Sequence, residues 1–494
     1  MTEITTLPAD KLKLIQESLP YFIPELVLSG GIVLILLAGL IFRSATVHYI
    51  LTVVTLLVSV PAIILHWSHF QANHALFGML HSTSFSTFIK ILFDIATILT
   101  VAMSWQKEGI RKHTAEYTTL LLTVTLGAHL IVMSTNLVMI FLSLELMSIS
   151  SYILTGYLFK RESAEGSLKY FLFGSVASAV MLYGFTLLYG ITGTTDISSD
   201  QFFTMLNTQS PAFTFAAIML SLSGFLFKIA ATPLHPWAPD VYDASPMPVV
   251  AFFSVVPKLA GIGVLAVFIH TAHIATSFDW QLVLGVIALL TIIIGNFSAL
   301  KQRSPKRLMA YSSIAQSGFL LLGVLVFSSQ GLHFMLFYAT VYMLGNFVVF
   351  INLQLFEAHD LVALEDFKGT GKRFLWPHIL ALVGFISLTG IPPTAGFTAK
   401  LFIFTSLWES FEMTGKSILL WLLVIGLLNT VVALFYYLRI PFFAFMKSGT
   451  TDGQIIISGT FKKLLAFLLV LFILVLFLQP DLLMSLINRI NFVL

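Results

Sequence analysis

Cysteine is absent from all 494 residues, which excludes structural disulfides, thiolate-held iron–sulfur clusters and nucleophilic cysteine chemistry together. Charge is scarce too. Asp, Glu, Lys and Arg make up 10% of the chain, where a soluble domain carries about a quarter. With 57% hydrophobic residues and a mean hydropathy of +0.94, most of the surface cannot face water, so an ordinary soluble enzyme is excluded. The net charge of +3, from 26 Lys and Arg against 23 Asp and Glu, is too balanced to imply nucleic acid as a partner. The opening MTEITTLPADKLKLIQESLP has no apolar run ending in a small-residue cleavage site, so no cleaved signal peptide is expected. No dinucleotide fingerprint is present, and KGTGKR (368–373) lacks both the earlier glycine and the following Ser or Thr of a phosphate loop. His66/His69 and His270/His273 have helical metal spacing but no carboxylate beside them on the same helix, so no metal site is expected.

Long apolar runs are what the chain does have. A membrane helix needs about 20 mostly apolar residues, and fourteen segments qualify: 22–43, 48–67, 84–105, 117–134, 136–158, 169–191, 213–243, 248–272, 278–300, 308–328, 332–356, 376–408, 418–445 and 461–479. The expected fold is an all-α polytopic membrane protein. Positive charge divides unevenly between alternate loops. One set holds Arg43, Lys107, Arg111, Lys112, Lys160, Arg161, Lys301, Arg303, Lys306, Arg307, Lys368, Lys372, Arg373, Arg439, Lys447, Lys462 and Lys463; the other holds only Lys11, Lys13, Lys416 and Arg489. Because cytoplasmic loops retain Lys and Arg, an even helix count with both termini outside is expected. Lys90, Lys169, Lys228, Lys258 and Lys400 are left for the membrane itself.

A weak internal repeat appears at a shift of 160 residues, where LSLSGFLFKIAATPLHPW (220–237) lies over LALVGFISLTGIPPTAGF (380–397). The two copies run in opposite directions, five helices apart, and each carries prolines in mid-segment: Pro233 and Pro236, then Pro392 and Pro393. Paired broken helices in inverted repeats are an arrangement that places transported ions near the bilayer midplane; ordinary proline kinks are the alternative. The expected divisions are an N-terminal three-helix segment (1–116), a five-helix repeat (117–272), a second, inverted one (278–445) and a C-terminal helix (446–494).

The intramembrane charges carry the functional argument. Glu145 lies nine residues into an otherwise uncharged helix, where burial without a partner costs roughly 2.5 kcal/mol or more. Lys228 stands one turn before Pro233. The two form either a structural ion pair or a pair in which each partner's protonation responds to the other. Lys258, after Pro257, has no acid on its own helix, and removal from water favours the neutral amine, as a proton carrier requires; a snorkelling lysine is the alternative, though ten residues from the helix start is deep for that. Lys400 lies about two turns beyond the second break, and a surface-directed lysine is its alternative. Lys169 and His235 are secondary relay candidates, the imidazole because it titrates near physiological pH; capping of carbonyls freed at the break is its other reading. Lys90 and Asp94, one turn apart, are expected to neutralise each other, and Glu25 to interact with a helix start.

FLSLELMSISSYILTGY (141–157), SAEGSLKYFLFGS (163–175), FKIAATPLHPWAPDVYDASPMPVVAFFSVVPK (227–258), KRLMAYSSIAQSGFLLLG (306–323) and GIPPTAGFTAKLFIF (390–404) together resemble the antiporter-like membrane subunits of proton-pumping NADH–quinone oxidoreductase. Within that family the chain is similar to the subunit N branch, because it ends soon after the last apolar segment, without a long lateral helix. The resemblance implies two inverted five-helix bundles, each with one broken helix. It implies proton translocation through Glu145 with Lys228 as the input pair, Lys258 as the central relay and Lys400 as the lysine of the second half-channel. Many relatives carry a histidine where this chain has Gln316, so water or Tyr311 is expected to link the half-channels. The implied partners are other membrane subunits, the lipid bilayer and protons. No cofactor is expected in this chain, while NADH or another donor, flavin, iron–sulfur clusters and quinone belong to the rest of the complex. A subunit of a multi-subunit cation/proton antiporter, or a structural membrane scaffold, are the other functional readings.

Overall fold

The computed structural model describes residues 16, 18–65, 73–75, 78–105, 108–448 and 460–492. His66 and His69 lie outside the described residues. In chain order the principal helices are α1 (Ile23–Ile41), α2 (Ala45–Leu65), α3 (Ser84–Ser104), α4 (Thr114–Met133), α5 (Leu137–Thr155), α6 (Arg161–Thr192), α7 (Pro211–Lys228), α8 (Trp237–Ala244) and α9 (Met247–Ala275). They continue as α10 (Trp280–Leu300), α11 (Pro305–Leu325), α12 (Ser329–Glu357), α13 (Leu375–Thr389), α14 (Ala395–Thr414), α15 (Ser417–Tyr437), α16 (Arg439–Met446) and α17 (Thr460–Leu478). A two-stranded hairpin, β1 (Asn73–Ala75) with β2 (Leu80–Ser82), precedes α3.

Among the described residues, 13 helical spans are long and apolar enough to cross a membrane. The remaining expected span, 376–408, is divided. Its first half, α13, has 15 residues, and its second, α14, carries Lys400, Glu409 and Glu412 and runs on to Thr414. The sixth helix also differs from expectation, beginning at Arg161 and not at Lys169. RESAEGSLK extends the helix past its apolar stretch, held by a Glu165–Lys169 pair at i,i+4 and 2.9 Å, a spacing that stabilises exposed helix.

Contacts between loops define two faces. On one, the Ser84 hydroxyl donates to the Asn491 carbonyl at 3.1 Å, His333 Nε2 bonds the Ile490 carbonyl at 2.9 Å, and Lys416 pairs with Asp279 at 2.7 Å. On the other, Arg439 donates to the carbonyls of Leu300 (2.8 Å) and Gln302 (2.9 Å), and Lys306 pairs with Glu357 at 2.9 Å. The described C-terminus thus lies on the first, terminal face; the Lys- and Arg-rich loops lie on the second, basic face.

Five helices, α4 to α9 with α7/α8 as the broken fourth, are followed by five more, α10 to α15 with α13/α14 as the broken fourth. The first broken helix runs from terminal to basic face and the second the opposite way, so the repeats are inverted. Helices α9, α11 and α12 are buried on almost every side, whereas α1, α15 and α17 turn leucines and phenylalanines outward, as a bundle solvated by lipid permits.

Each break frees backbone groups that lipid cannot satisfy. After α7, Ala230 takes φ +55°, Thr232 N–H donates to Thr291 Oγ1 on α10 at 2.9 Å, and the Trp237 indole donates back to the Phe227 carbonyl at 3.1 Å. After α13, Gly390 caps the helix at φ +86°. Glycine is needed there twice over, since a Cβ would also fall 2.6 Å from Lys400 Cδ. Both breaks contain a cis prolyl bond, at Thr232–Pro233 and Pro392–Pro393.

Candidate functional site

The polar groups form a line through the middle of the bundle. At one end, Glu145 on α5 is half-buried and accepts a hydrogen bond from the Ser178 hydroxyl on α6. Lys228, the last residue of α7, is fully buried. Its ammonium donates to Ser148 Oγ at 2.9 Å, one turn along α5 from Glu145, and lies 5.9 Å and 5.5 Å from the ring centroids of Tyr152 and Tyr170. The expected carboxylate–ammonium pair is therefore not in direct contact: Lys228 is held by Ser148, whose hydroxyl donates to the Leu144 carbonyl at 2.6 Å, and Glu145 by Ser178. The Tyr170 ring stacks on Trp237 at 4.4 Å, so the residues that close the first break also wall the lysine.

From Lys228 the line passes to α9. Gly261 lies so close that a Cβ there would sit 3.3 Å from Lys228 Cβ, and Lys258 is one turn before it. Lys258, 1% exposed, donates to the Ser313 carbonyl at 2.7 Å and to Ser317 Oγ at 3.1 Å. Both partners belong to α11. The Ser313 hydroxyl is hydrogen-bonded to the Tyr242 hydroxyl at 3.1 Å and to the Tyr342 hydroxyl at 2.9 Å, and Tyr342 donates onward to the Ser254 carbonyl on α9 at 2.9 Å.

Helix α11, already in the second half, carries the line on toward the second break. Gln316 donates to the Leu388 carbonyl at the end of α13 (2.8 Å) and to the Tyr437 hydroxyl (3.2 Å), and accepts from the Tyr338 hydroxyl; Tyr437 is also bonded to Ser312. Next along the break, the Thr389 carbonyl accepts from Lys400 Nζ at 2.8 Å. That ammonium lies 4.3 Å from the ring centroid of Phe319, one turn after Gln316. A helix C-terminus concentrates partial negative charge on such freed carbonyls, so the break itself seats the lysine.

Other candidates fall elsewhere. Lys169 is not buried: its side chain is 41% exposed and pairs with Glu165 at 2.9 Å and with Asp240 at 3.0 Å. Asp240 also holds Arg307 at 3.0 Å, making a basic-face network. His235 is half-buried in the first break, and its buried Nδ1 has no hydrogen-bond partner among the described residues. Tyr311 is half-buried; among the described residues, Ser312, Gln316, Tyr338 and Tyr437 make the hydrogen bonds that join α11 to α12, α13 and α15. Lys90 pairs with Glu25 at 2.7 Å, while Asp94 is met by His129 at 3.1 Å, so the expected Lys90–Asp94 neutralisation gives way to a cross-helix arrangement. Inter-helix packing brings a better-placed acid to Lys90 than its own helix offers.

Sequence reasoning missed Ser148, Ser178, Ser313, Ser317 and the tyrosines. Ser313 and Ser317 at i,i+4 in YSSIAQSG are a signal that α11 presents one polar face, but hydroxyl residues are common in membrane helices and do not stand out as charges do.

A family profile described as "NADH:quinone oxidoreductase/Mrp antiporter, TM" matches residues 134–430. An NADH-quinone oxidoreductase subunit N of Chlorobium chlorochromatii (strain CaD3) is 36% identical over 470 residues, covering 92% of this chain and 90% of that protein. A chain of respiratory complex I from Thermus thermophilus, solved with bound aureothin, superposes with a TM-score of 0.78 at 26% identity, covering 94% of this chain and 98% of that one. A chain of the Mrp complex from Dietzia sp. DQ12-45-1b shares the fold, with a TM-score of 0.78 at 20% identity over 95% and 96% of the two chains.

Proposed function

This chain belongs to the NADH:quinone oxidoreductase/Mrp antiporter membrane family, in its subunit N group, and from that premise we propose that it translocates protons as a membrane subunit of an NADH–quinone oxidoreductase. The observation that carries the reading is the succession of polar groups Glu145, Lys228 on Ser148, Lys258 on Ser313 and Ser317, Gln316 on Leu388 and Lys400 on Thr389, which runs through both inverted halves inside an apolar bundle. Buried cations are costly and persist where they serve a path. No group in the line performs electron chemistry, so the driving reaction, quinone reduction with its flavin and iron–sulfur clusters, belongs to partner subunits.

In this reading the charge of Glu145, one turn along α5 from Ser148, biases Lys228, and Lys258 exchanges its proton with the hydroxyls around Ser313. A serine or tyrosine hydroxyl donates and accepts at one oxygen, so a chain of them can pass a proton by reorienting. An amide cannot accept and release a proton in that way. Gln316 therefore holds the Tyr338 and Tyr437 hydroxyls and the Leu388 carbonyl in place, and the proton crosses on those phenols and on water. Lys400 receives it at the second break. Each proton moved outward works against about 2.3 kcal/mol per 100 mV, an energy supplied from the partner subunits. His235 provides an outlet from the first break, and Lys169 fastens the basic face.

The proposed setting is a bacterial inner membrane with the terminal face periplasmic, since Lys and Arg gather on the opposite one. Purification in mild detergent, with identification of the copurifying subunits, tests the assignment. Flavin- and iron–sulfur-bearing partners with quinone-dependent proton release in proteoliposomes are expected. Na⁺ or K⁺ exchange without electron transfer would instead assign the chain to a cation antiporter.

A further inference from the structure

Away from the lysine line, and outside the 134–430 region matched by the family profile, four ionisable side chains meet between α1, α3 and α4. Lys90 Nζ lies 2.7 Å from Glu25 Oε1. His129 stands between the two acids, with Nδ1 3.3 Å from Glu25 Oε1 and Nε2 3.1 Å from Asp94 Oδ1. All four are buried, at 2% exposure or less. The second carboxyl oxygens, Glu25 Oε2 and Asp94 Oδ2, are buried without hydrogen-bond partners among the described residues.

Charge balance fixes the proton count. Two carboxylates face one ammonium, and an enclosed apolar site disfavours net charge. The set is neutral only when it binds one proton beyond that of Lys90. This proton can sit on His129, which then donates from both ring nitrogens, or on Glu25 or Asp94, with the imidazole neutral. The three arrangements differ only in which of three mutually bonded groups holds it. Helix α4 also packs against α2, α5, α9 and β2. Their titratable groups are His48 and Tyr49, Glu145 and Tyr152, Lys258 with His270 and His273, and His81; of these, Tyr49 is engaged by Ser104, Glu145 by Ser178, Lys258 by Ser313, Tyr152 packs edge-on against Tyr170, and His273 stacks on Phe327.

The site also has a direction. Glu25 is in the first turn of α1, at the terminal face, whereas Asp94 is halfway along α3. One turn further, Thr97 is hydrogen-bonded to Thr125 on α4 at 2.8 Å. Near the basic end of α3, Ser104 is bonded to the Tyr117 hydroxyl at 2.7 Å, and Tyr49 donates to its carbonyl at 3.0 Å. Hydroxyls thus mark the α3–α4 seam along the inner half of the span.

We propose that Glu25, Lys90, Asp94 and His129 form a second proton-binding site that holds one exchangeable proton, takes it up or releases it at the terminal face, and passes it between Glu25 and Asp94 through the His129 ring. The alternative role is a fastener joining the three N-terminal helices to the bundle.

Charge-neutral substitutions separate the two. Asp94→Asn leaves Glu25 and Lys90 as a matched pair beside a neutral imidazole; His129→Gln with Asp94→Asn does the same without the imidazole. Neither leaves an exchangeable proton. In assembled complexes the proposal predicts that both lose protons translocated per electron, and that the pH profile of pumping loses a titrating step, while quinone reduction continues. Normal pumping by either assembled variant overturns it. Failure of both to assemble also overturns it, in favour of the fastener. The assay rests on the proton-translocation reading, so Lys258→Ala is measured alongside. Normal pumping by that variant would remove the lysine line, whereas its loss with normal pumping by the neutral pair would remove only this site.

Discussion

Replacing Gln316 with Leu tests the bridge it makes from α11 to the break after α13, within the second half. The side chain is 2% exposed, and leucine is close to it in volume, so the change deletes polar contacts without opening a large cavity. Two groups lose their partner: the Leu388 carbonyl, which accepts from Gln316 Nε2 at 2.8 Å, and the Tyr338 hydroxyl, which donates to Oε1. Tyr437 keeps Ser312. A stranded buried group costs about 1–3 kcal/mol, while side-chain hydrogen bonds inside membranes average about 0.6 kcal/mol, so the two losses together amount to about 1–6 kcal/mol. Gln316→His keeps one donor and one acceptor and should lose less. Thermal unfolding in detergent reads the stability change, and proton release per electron in proteoliposomes reads the transfer. The Leu variant should melt earlier and pump less per electron than the His variant. A Leu variant that melts and pumps like the parent would refute the bridge.

Gly390→Ala meets both a left-handed backbone and a contact 2.6 Å from Lys400 Cδ, so it should lower stability by about 1–3 kcal/mol and reduce pumping. Gly415→Ala, at φ +66° in open space, should show only the backbone part, about 1–2 kcal/mol; equal effects on pumping would rule out a role for the Lys400 seat. Burial acts to raise Asp279, but Lys416 at 2.7 Å and the Leu282 N–H outweigh it and hold the carboxyl below its usual range. A depressed carboxyl contributes stability above its unfolded value of about 3.9, and that contribution fades as pH falls through the folded value. Asp279→Asn should therefore cost less than about 1 kcal/mol at neutral pH and nothing in strong acid, as read by melting curves across pH; a deficit that persists in acid contradicts the pairing. In a chain without cysteine, Asn207→Cys at the terminal face should react with an impermeant external thiol reagent in intact cells, and Arg303→Cys at the basic face should not. The reverse pattern would invert the proposed orientation.

Much of the fold was legible because bilayer thickness and the cost of buried charge act residue by residue. Apolar runs gave the spans, loop lysines gave the alternation of faces, and Pro233, Pro236, Pro392 and Pro393 marked both breaks. Lys228, Lys258 and Lys400 stood out as charges without sequence neighbours to neutralise them. What neutralises or holds a group depends on other helices, and there the sequence was silent. Ser148 against Lys228, the carbonyls of Ser313 and Thr389 beneath two ammonium groups, and the Glu25–His129–Asp94 contact all join groups on different elements. Lys169 misled for the opposite reason: its local sequence adjoins an apolar run, yet the helix starts eight residues earlier and carries it out to Asp240.

The central claim is that Lys258 passes protons and does not merely fill the core. Lys258→Met preserves bulk, and Ser317 Oγ keeps its own bond to the Ser313 carbonyl at 3.0 Å, so no contact partner of the ammonium is stranded and assembly should survive. Lys258→Arg keeps the charge on a group that does not release its proton. Protons translocated per electron, measured with quinone-reductase rate in assembled complexes, should fall in both variants. Parental pumping by fully assembled Lys258→Met would contradict the account.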